Sequence, residues 1–185
     1  LLMARLDQLS NAVCDAIQTA SVLGREFDVR VLAAILGDAP ILFELLGEAE
    51  RAEILSPVNP NSYIFRHGLI RDAAYSMQMR ARRQELHASV VDALEKLYPG
   101  EIERHYGELA YHAEHANLPA RALHYLPLAG SQAANAYQNA QAVDYFTRAL
   151  ALIPEQNLRT RFDLLLERTD VFHRIGDRKS ELADI

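Results

Sequence analysis

The sequence predicts an almost wholly α-helical protein with one short β-hairpin, in two parts that meet near Pro99-Gly100. Three observations carry this expectation. Apolar residues recur at three- and four-residue spacing along most of the chain. One turn-rich stretch, Ser56-Pro-Val-Asn-Pro-Asn-Ser62, lies between two β-prone runs, Ile54-Leu55 and Tyr63–Phe65. Pro99-Gly100 then breaks the longest helical patterns, which sets the parts at 1–99 and 100–185.

In the first part a helix is expected from Ser10, its N-cap, to Leu23, with Val13, Ile17 and Ala20 on the apolar stripe and Gly24 as the stop. Asp28 caps a second, short helix carrying Leu32, Ile35 and Leu36 and ended by Gly37. Asp38 and Pro40 open a third, with Ile41, Leu45, Ala49 and Ala52 in register. The hairpin follows, and three helices before a hairpin is the order of a winged helix. From Gly68 the period turns helical again, with Leu69, Ile70, Ala73, Ala74 and Met77 on one stripe. A further helix runs from about Arg82 to Tyr98 with Leu86, Val90, Leu94 and Leu97 inward.

Beyond Gly100 only helices are expected, near 101–116, 119–136, 139–152 and 157–175, joined by short breaks that make neighbours antiparallel. Gly130, Ala142, Phe146, Ala149 and Pro154 fall at the spacing of the tetratricopeptide consensus, with Leu126 and Ala133 standing where that repeat carries Trp and Tyr. The small residues let two helices approach, and Phe146 fills the space between them. A weaker echo ends at Gly176-Asp177. The second part therefore reads as a tetratricopeptide-like solenoid, burying Leu126, Phe146, Leu150 and Leu165 between layers. Pro127 removes the bond to the Leu123 carbonyl, so a kink or a split is expected between Leu123 and Gly130. A solenoid that ends near Ala183 and Ile185 has a bare last layer, and self-association through it, or disorder of it, is the expectation.

Composition narrows the function. Half the residues are apolar and a quarter charged, as in ordinary globular domains, with 25 acidic side chains against 19 Lys plus Arg. The lone Cys14 cannot make an internal disulfide, which suits a reducing, cytoplasmic setting. No apolar run approaches the roughly 20 residues that span a bilayer. Leu1-Leu-Met-Ala-Arg-Leu-Asp7 lacks signal-peptide organisation and begins mid-pattern, so the chain is expected to be a fragment of something longer.

Candidate chemistry is sparse. His105, His112 and His115 share one helix, but no Cys accompanies them and no His-Glu-x-x-His spacing occurs, so no metal site is expected. There is no nucleophile elbow and no Gly-rich loop ending in Lys-Ser or Lys-Thr, so no catalytic residue is expected and the chain cannot cradle a triphosphate unaided. The third helix carries Glu44, Glu48 and Glu50, followed by Glu53, against Arg51, the wrong sign for DNA. The basic run Arg80-Ala-Arg-Arg83 reads as a solvated face or an interdomain contact. His67 is the exception. It stands where a strand meets a helix N-terminus, whose free N–H groups and dipole favour an anion, with Arg66 and Arg71 close by.

Three segments resemble one family. Arg66-His67 before Leu69-Ile-Arg-Asp-Ala-Ala-Tyr75 is similar to the strand–His–helix motif in the winged-helix segment of signal-transduction ATPases with numerous domains (STAND ATPases). Ala20-Ser-Val-Leu-Gly-Arg-Glu-Phe27 and Arg82-Arg-Gln-Glu-Leu-His87 resemble segments of bacterial class III nucleotidyl cyclases and of related ATPase–tetratricopeptide regulators. Leu1–Asp7 resembles the end of their ATPase module. The resemblance implies a non-catalytic regulatory segment of a larger signalling ATPase, its His67 facing the phosphates of ADP. It implies ATP or ADP with Mg in the full-length protein, no cofactor in this segment, and a protein or intramolecular domain docked on the repeats. A DNA-binding winged-helix regulator is the alternative.

Overall fold

The computed structural model describes residues 9–37 and 39–184; the expectations placed on Leu1–Asp7, Asp38 and Ile185 lie outside them. The chain divides into two compact units, Leu1–Pro99 and Gly100–Ile185, and is mostly helical with one small sheet.

In the first unit α1 (Asn11–Leu23) starts at Ser10, whose Oγ accepts from the Val13 amide at 3.4 Å, and stops at Gly24, φ 132°. Val13, Ile17 and Ala20 are buried, and so are Ala16, Thr19, Ser21 and Val22, because α1 packs against helices on several sides. Strand β1 (Glu26–Asp28) follows, then α2 (Val29–Leu36) and α3 (Ala39–Arg51). Asp28 ends the strand and caps α2, accepting from the Arg30 amide at 2.7 Å. Strands β2 (Leu55–Asn59) and β3 (Ser62–Phe65) complete an antiparallel sheet of order β1-β3-β2, pairing Phe27 with Tyr63 and Leu55 with Phe65.

The single hairpin expected from sequence is thus a three-stranded sheet. β1 has only three residues, too few to display an alternation. The hairpin also reaches further than expected, since β2 runs through Pro57 to Asn59 before turning. In α3 the register shifts: Leu42, Leu46 and Ala49 are buried, whereas Ile41 is 52% exposed. The run Ile41-Leu-Phe-Glu-Leu-Leu46 offers an apolar side chain at nearly every position, so spacing alone cannot choose the face.

Two helices close the unit. α4 (Gly68–Ser76) buries Ile70 and Ala74 but leaves Leu69 and Met77 outside, a narrower stripe than expected. α5 (Arg80–Leu97) buries Leu86, Val90 and Leu94, with Leu97 at the surface. The core gathers Ile17, Phe27, Leu32, Leu46, Phe65 and Ile70. The Tyr98 hydroxyl donates to Asp28 Oδ2 at 2.8 Å, tying the end of α5 to the start of α2.

The second unit opens with a 3-10 turn (Ile102–His105) and continues through α6 (Tyr106–His115), α7 (Pro119–Asn135), α8 (Asn139–Leu152), α9 (Leu158–Ile175) and α10 (Arg178–Asp184). Each of these packs chiefly on its neighbours in sequence. At the α7–α8 crossing a Cβ on Gly130 would lie 2.7 Å from Phe146 Cε1, and Ala142, Phe146 and Ala149 are fully buried. Helix α7 is continuous through Pro127 rather than split. Its buried face, Ala122, Tyr125, Leu126, Ala129 and Ala133, packs on helices to either side, and that burial outweighs the roughly 3 kcal/mol cost of the proline. In α9 the buried residues are Leu164 and Val171; Leu165 is only partly covered.

Candidate functional site

The joint between β3 and α4 is built by backbone pairing. The Phe65 amide donates to the Arg25 carbonyl at 2.8 Å and the Arg66 amide to the Ile54 carbonyl at 3.0 Å, so the strand is held until it ends. His67 then takes φ −129° and ψ 125° as N-cap of α4. Its carbonyl accepts from the Ile70 amide at 3.0 Å, while its imidazole makes no capping hydrogen bond and is exposed. An exposed ring beside the open first turn of a nine-residue helix can meet an anion brought to it.

The two arginines are differently employed. Arg66 Nε donates to Ser56 Oγ at 2.7 Å, which turns the guanidinium back onto β2. Arg71 Nε donates to the Ser21 carbonyl at 2.9 Å and its Nη1 pairs with Asp72 at 3.1 Å. Arg71 also lies over the Tyr75 ring, 5.2 Å from its centroid. Thus the His67 imidazole takes part in none of these contacts, and the arginines anchor the joint to β2 and to the last turn of α1, Arg66 through Nε alone. Sequence reading missed a further cation, Arg83, which stacks over Tyr75 at 4.9 Å. Beneath them the Tyr75 hydroxyl lies 3.0 Å from Nε2 of buried His87. The signal was there in part, because Arg83 closes the basic run 80–83 and Tyr75 sits one turn after Arg71.

No protein-family model, curated protein or solved structure matches this chain. Geometry therefore carries the functional reading.

His105, in the 3-10 turn, and His112 and His115, on α6, are engaged within the second unit. His105 Nδ1 pairs with Glu108 at 2.9 Å, His112 is 2% exposed, and His115 Nδ1 meets the Tyr111 carbonyl at 2.8 Å. Among the described residues no group of three His, Cys, Asp or Glu side chains is placed to hold a metal. Nor, among them, is any helix long and apolar enough to cross a membrane. Beside Tyr111 and His115, Arg148 on α8 pairs with Glu114 on α6 and with Asp144. The Glu114 hydrogen bond raises the guanidinium pKa above its ordinary value, against the effect of burial. This pair bridges α8 and α6.

Proposed function

We propose that the chain is a non-catalytic regulatory and protein-interaction segment of a larger, nucleotidyl cyclase-linked signalling ATPase of the cytoplasm. Residues 1–99 act as a winged-helix-like domain that closes on nucleotide held by an ATPase core. Residues 100–185 act as a tetratricopeptide-like array that docks a protein or a neighbouring domain. The element order α1-β1-α2-α3-β2-β3 supports the first assignment, and the close fit of Gly130 to Phe146 supports the second. The observation that carries the reading is His67, exposed and uncapped at the strand–helix joint. In this role the imidazole hydrogen-bonds a diphosphate of Mg-bound ADP, while Arg66 and Arg71 hold the joint in place.

The test is ADP release from the full-length protein carrying His67→Ala. Losing a contact of about 1–3 kcal/mol accelerates release roughly 5- to 150-fold and shifts the population toward the open form. Unchanged release would leave His67 a structural N-cap. The chain alone should bind ADP negligibly in calorimetry, because the main phosphate cradle is elsewhere. The same element order also admits a DNA-binding winged helix. A gel shift separates the two, since that reading requires salt-sensitive DNA affinity, and the acidic α3 leads us to expect none.

A further inference from the structure

A polar cleft in the second unit is built on three helices. Gly107 of α6, Gln132 of α7, and Gln138, Gln141 and Tyr145 at and after the start of α8 line a volume of about 220 Å³. Two hydrogen bonds hold these side chains in place. Gln132 Nε2 donates to the Glu103 carbonyl at 3.0 Å, and Gln141 Nε2 to the Tyr145 hydroxyl at 3.2 Å. Gly107 makes room for that hydroxyl, because a Cβ there would lie 2.6 Å from Tyr145 Oη. Among the described residues the Gln132 and Gln141 carboxamide oxygens, the Gln138 carboxamide and the Tyr145 O–H proton are then left without partners.

The lining is uncharged, and the charges on the same elements are almost all matched. Arg104 pairs with Glu101, His105 with Glu108 and Arg174 with Asp170. Arg148, which lies over the Tyr145 ring, pairs with Glu114 and Asp144. Glu103 makes no ion pair among the described residues and adds one more acceptor near the cleft. Tyr137 marks the rim. It stands between Ala136 and Gln138, both in the lining, takes φ 59° and is 81% exposed. That backbone conformation favours glycine or asparagine, and a ring so exposed recovers little by packing. Fold stability does not account for a tyrosine at this turn; contact with a ligand does.

We propose that this cleft binds a neutral sugar. Each sugar hydroxyl both donates and accepts, as do the carboxamides and the phenol that line the cleft. The volume falls below the roughly 300–1,000 Å³ of sites for drug-sized ligands and suits one pyranose ring. The Tyr145 hydroxyl donates to a sugar oxygen, the glutamine oxygens accept from its hydroxyls, and the Tyr137 ring lies against its C–H face. A peptide main chain, with one donor and one acceptor per residue along an extended line, would leave groups converging from three helices unpaired. This site lies beyond the docking role given to residues 100–185 and is independent of nucleotide sensing at His67.

The experiment is saturation-transfer NMR with calorimetric titration on the 185-residue chain. The probes are glucose, galactose and N-acetylglucosamine, with glucose 6-phosphate and glucosamine as charged controls. At least one neutral sugar should bind saturably in the millimolar range, no more weakly than either control. Tyr145→Phe should weaken it about 5-fold, the loss of one hydrogen bond. Gly107→Ala should weaken it as well, because the added Cβ displaces the Tyr145 hydroxyl. Tyr137→Gly should weaken binding while raising the thermal midpoint, a combination that a purely structural tyrosine would not give. Circular dichroism verifies that each variant is folded. No saturable binding of any of the three sugars would overturn the proposal. So would binding that Tyr145→Phe and Tyr137→Gly both leave unchanged. Tighter binding of either control would show that charge selects the ligand, and would overturn the neutral sugar.

Discussion

Gly130 sets how closely α7 and α8 approach, since any Cβ there enters the Phe146 ring. Gly130→Ala should destabilise by about 1–3 kcal/mol, and Phe146→Leu in the same chain should return part of it, as urea titration of the two singles and the double would measure. At Asp28, burial pushes the carboxyl pKa up, but hydrogen bonds from Arg30 and Tyr98 outweigh it and the net shift is down. The folded form therefore binds its proton less readily than the unfolded chain. Its stabilising contribution is complete above the ordinary value of about 3.9 and fades as pH falls through the lower folded value. Asp28→Asn should consequently be less stable than the parent at pH 7, with the gap narrowing on acidification below about pH 4. The His67 joint was legible because the alternation ending at Phe65 gives way to a helical period at Gly68. The engagement of its arginines was not. Arg71 bonds the Ser21 carbonyl fifty residues away, and no local spacing encodes that pairing.

Among elements, the ends of α6, α7 and α9 repeat one device that the end of α8 at Ile153, with φ −83°, does not share. Asn117, Tyr137 and Gly176 take φ 56°, 59° and 73°. After each, the next amide reaches back to Ala113, Ala133 and Phe172 at 2.9, 2.8 and 3.0 Å. Glycine and asparagine tolerate this left-handed region; tyrosine does so at a cost of about 1 kcal/mol. Tyr137 is 81% exposed and has little packing to lose. Tyr137→Gly should therefore raise stability by about 0.5–1 kcal/mol, seen as a higher midpoint in thermal melts. Helices with marked caps and uneven apolar spacing, such as α1 and α2, were readable from the residues. β1 was too short to read, α3 too evenly apolar to orient, and the burial on both sides of α7, which keeps the helix unsplit at Pro127, is invisible to a local rule.

At the scale of the whole molecule, the two units hold separate cores. Residues 100–185 made alone should keep a helical circular dichroism spectrum and a cooperative melt, and Gly130→Ala should lower that melt as it does in the full chain. The break at Pro99-Gly100 was visible as the one place where two breakers interrupt strong helical patterns. The β1–β3 ladder adds a distinction of another kind. It joins Glu26 to Ile64, so the first unit must close a long loop, with α2, α3 and β2 inside it, before its sheet exists. The second unit closes only the short turns between successive helices. Loop-closure entropy grows with the separation of the paired residues, and non-local pairing slows the search for the native topology. After dilution from denaturant, helical signal from 100–185 should return in an early phase. Protection of the Phe65 amide, which awaits the completed ladder, should arrive later, and pulsed hydrogen exchange would order the two events in time.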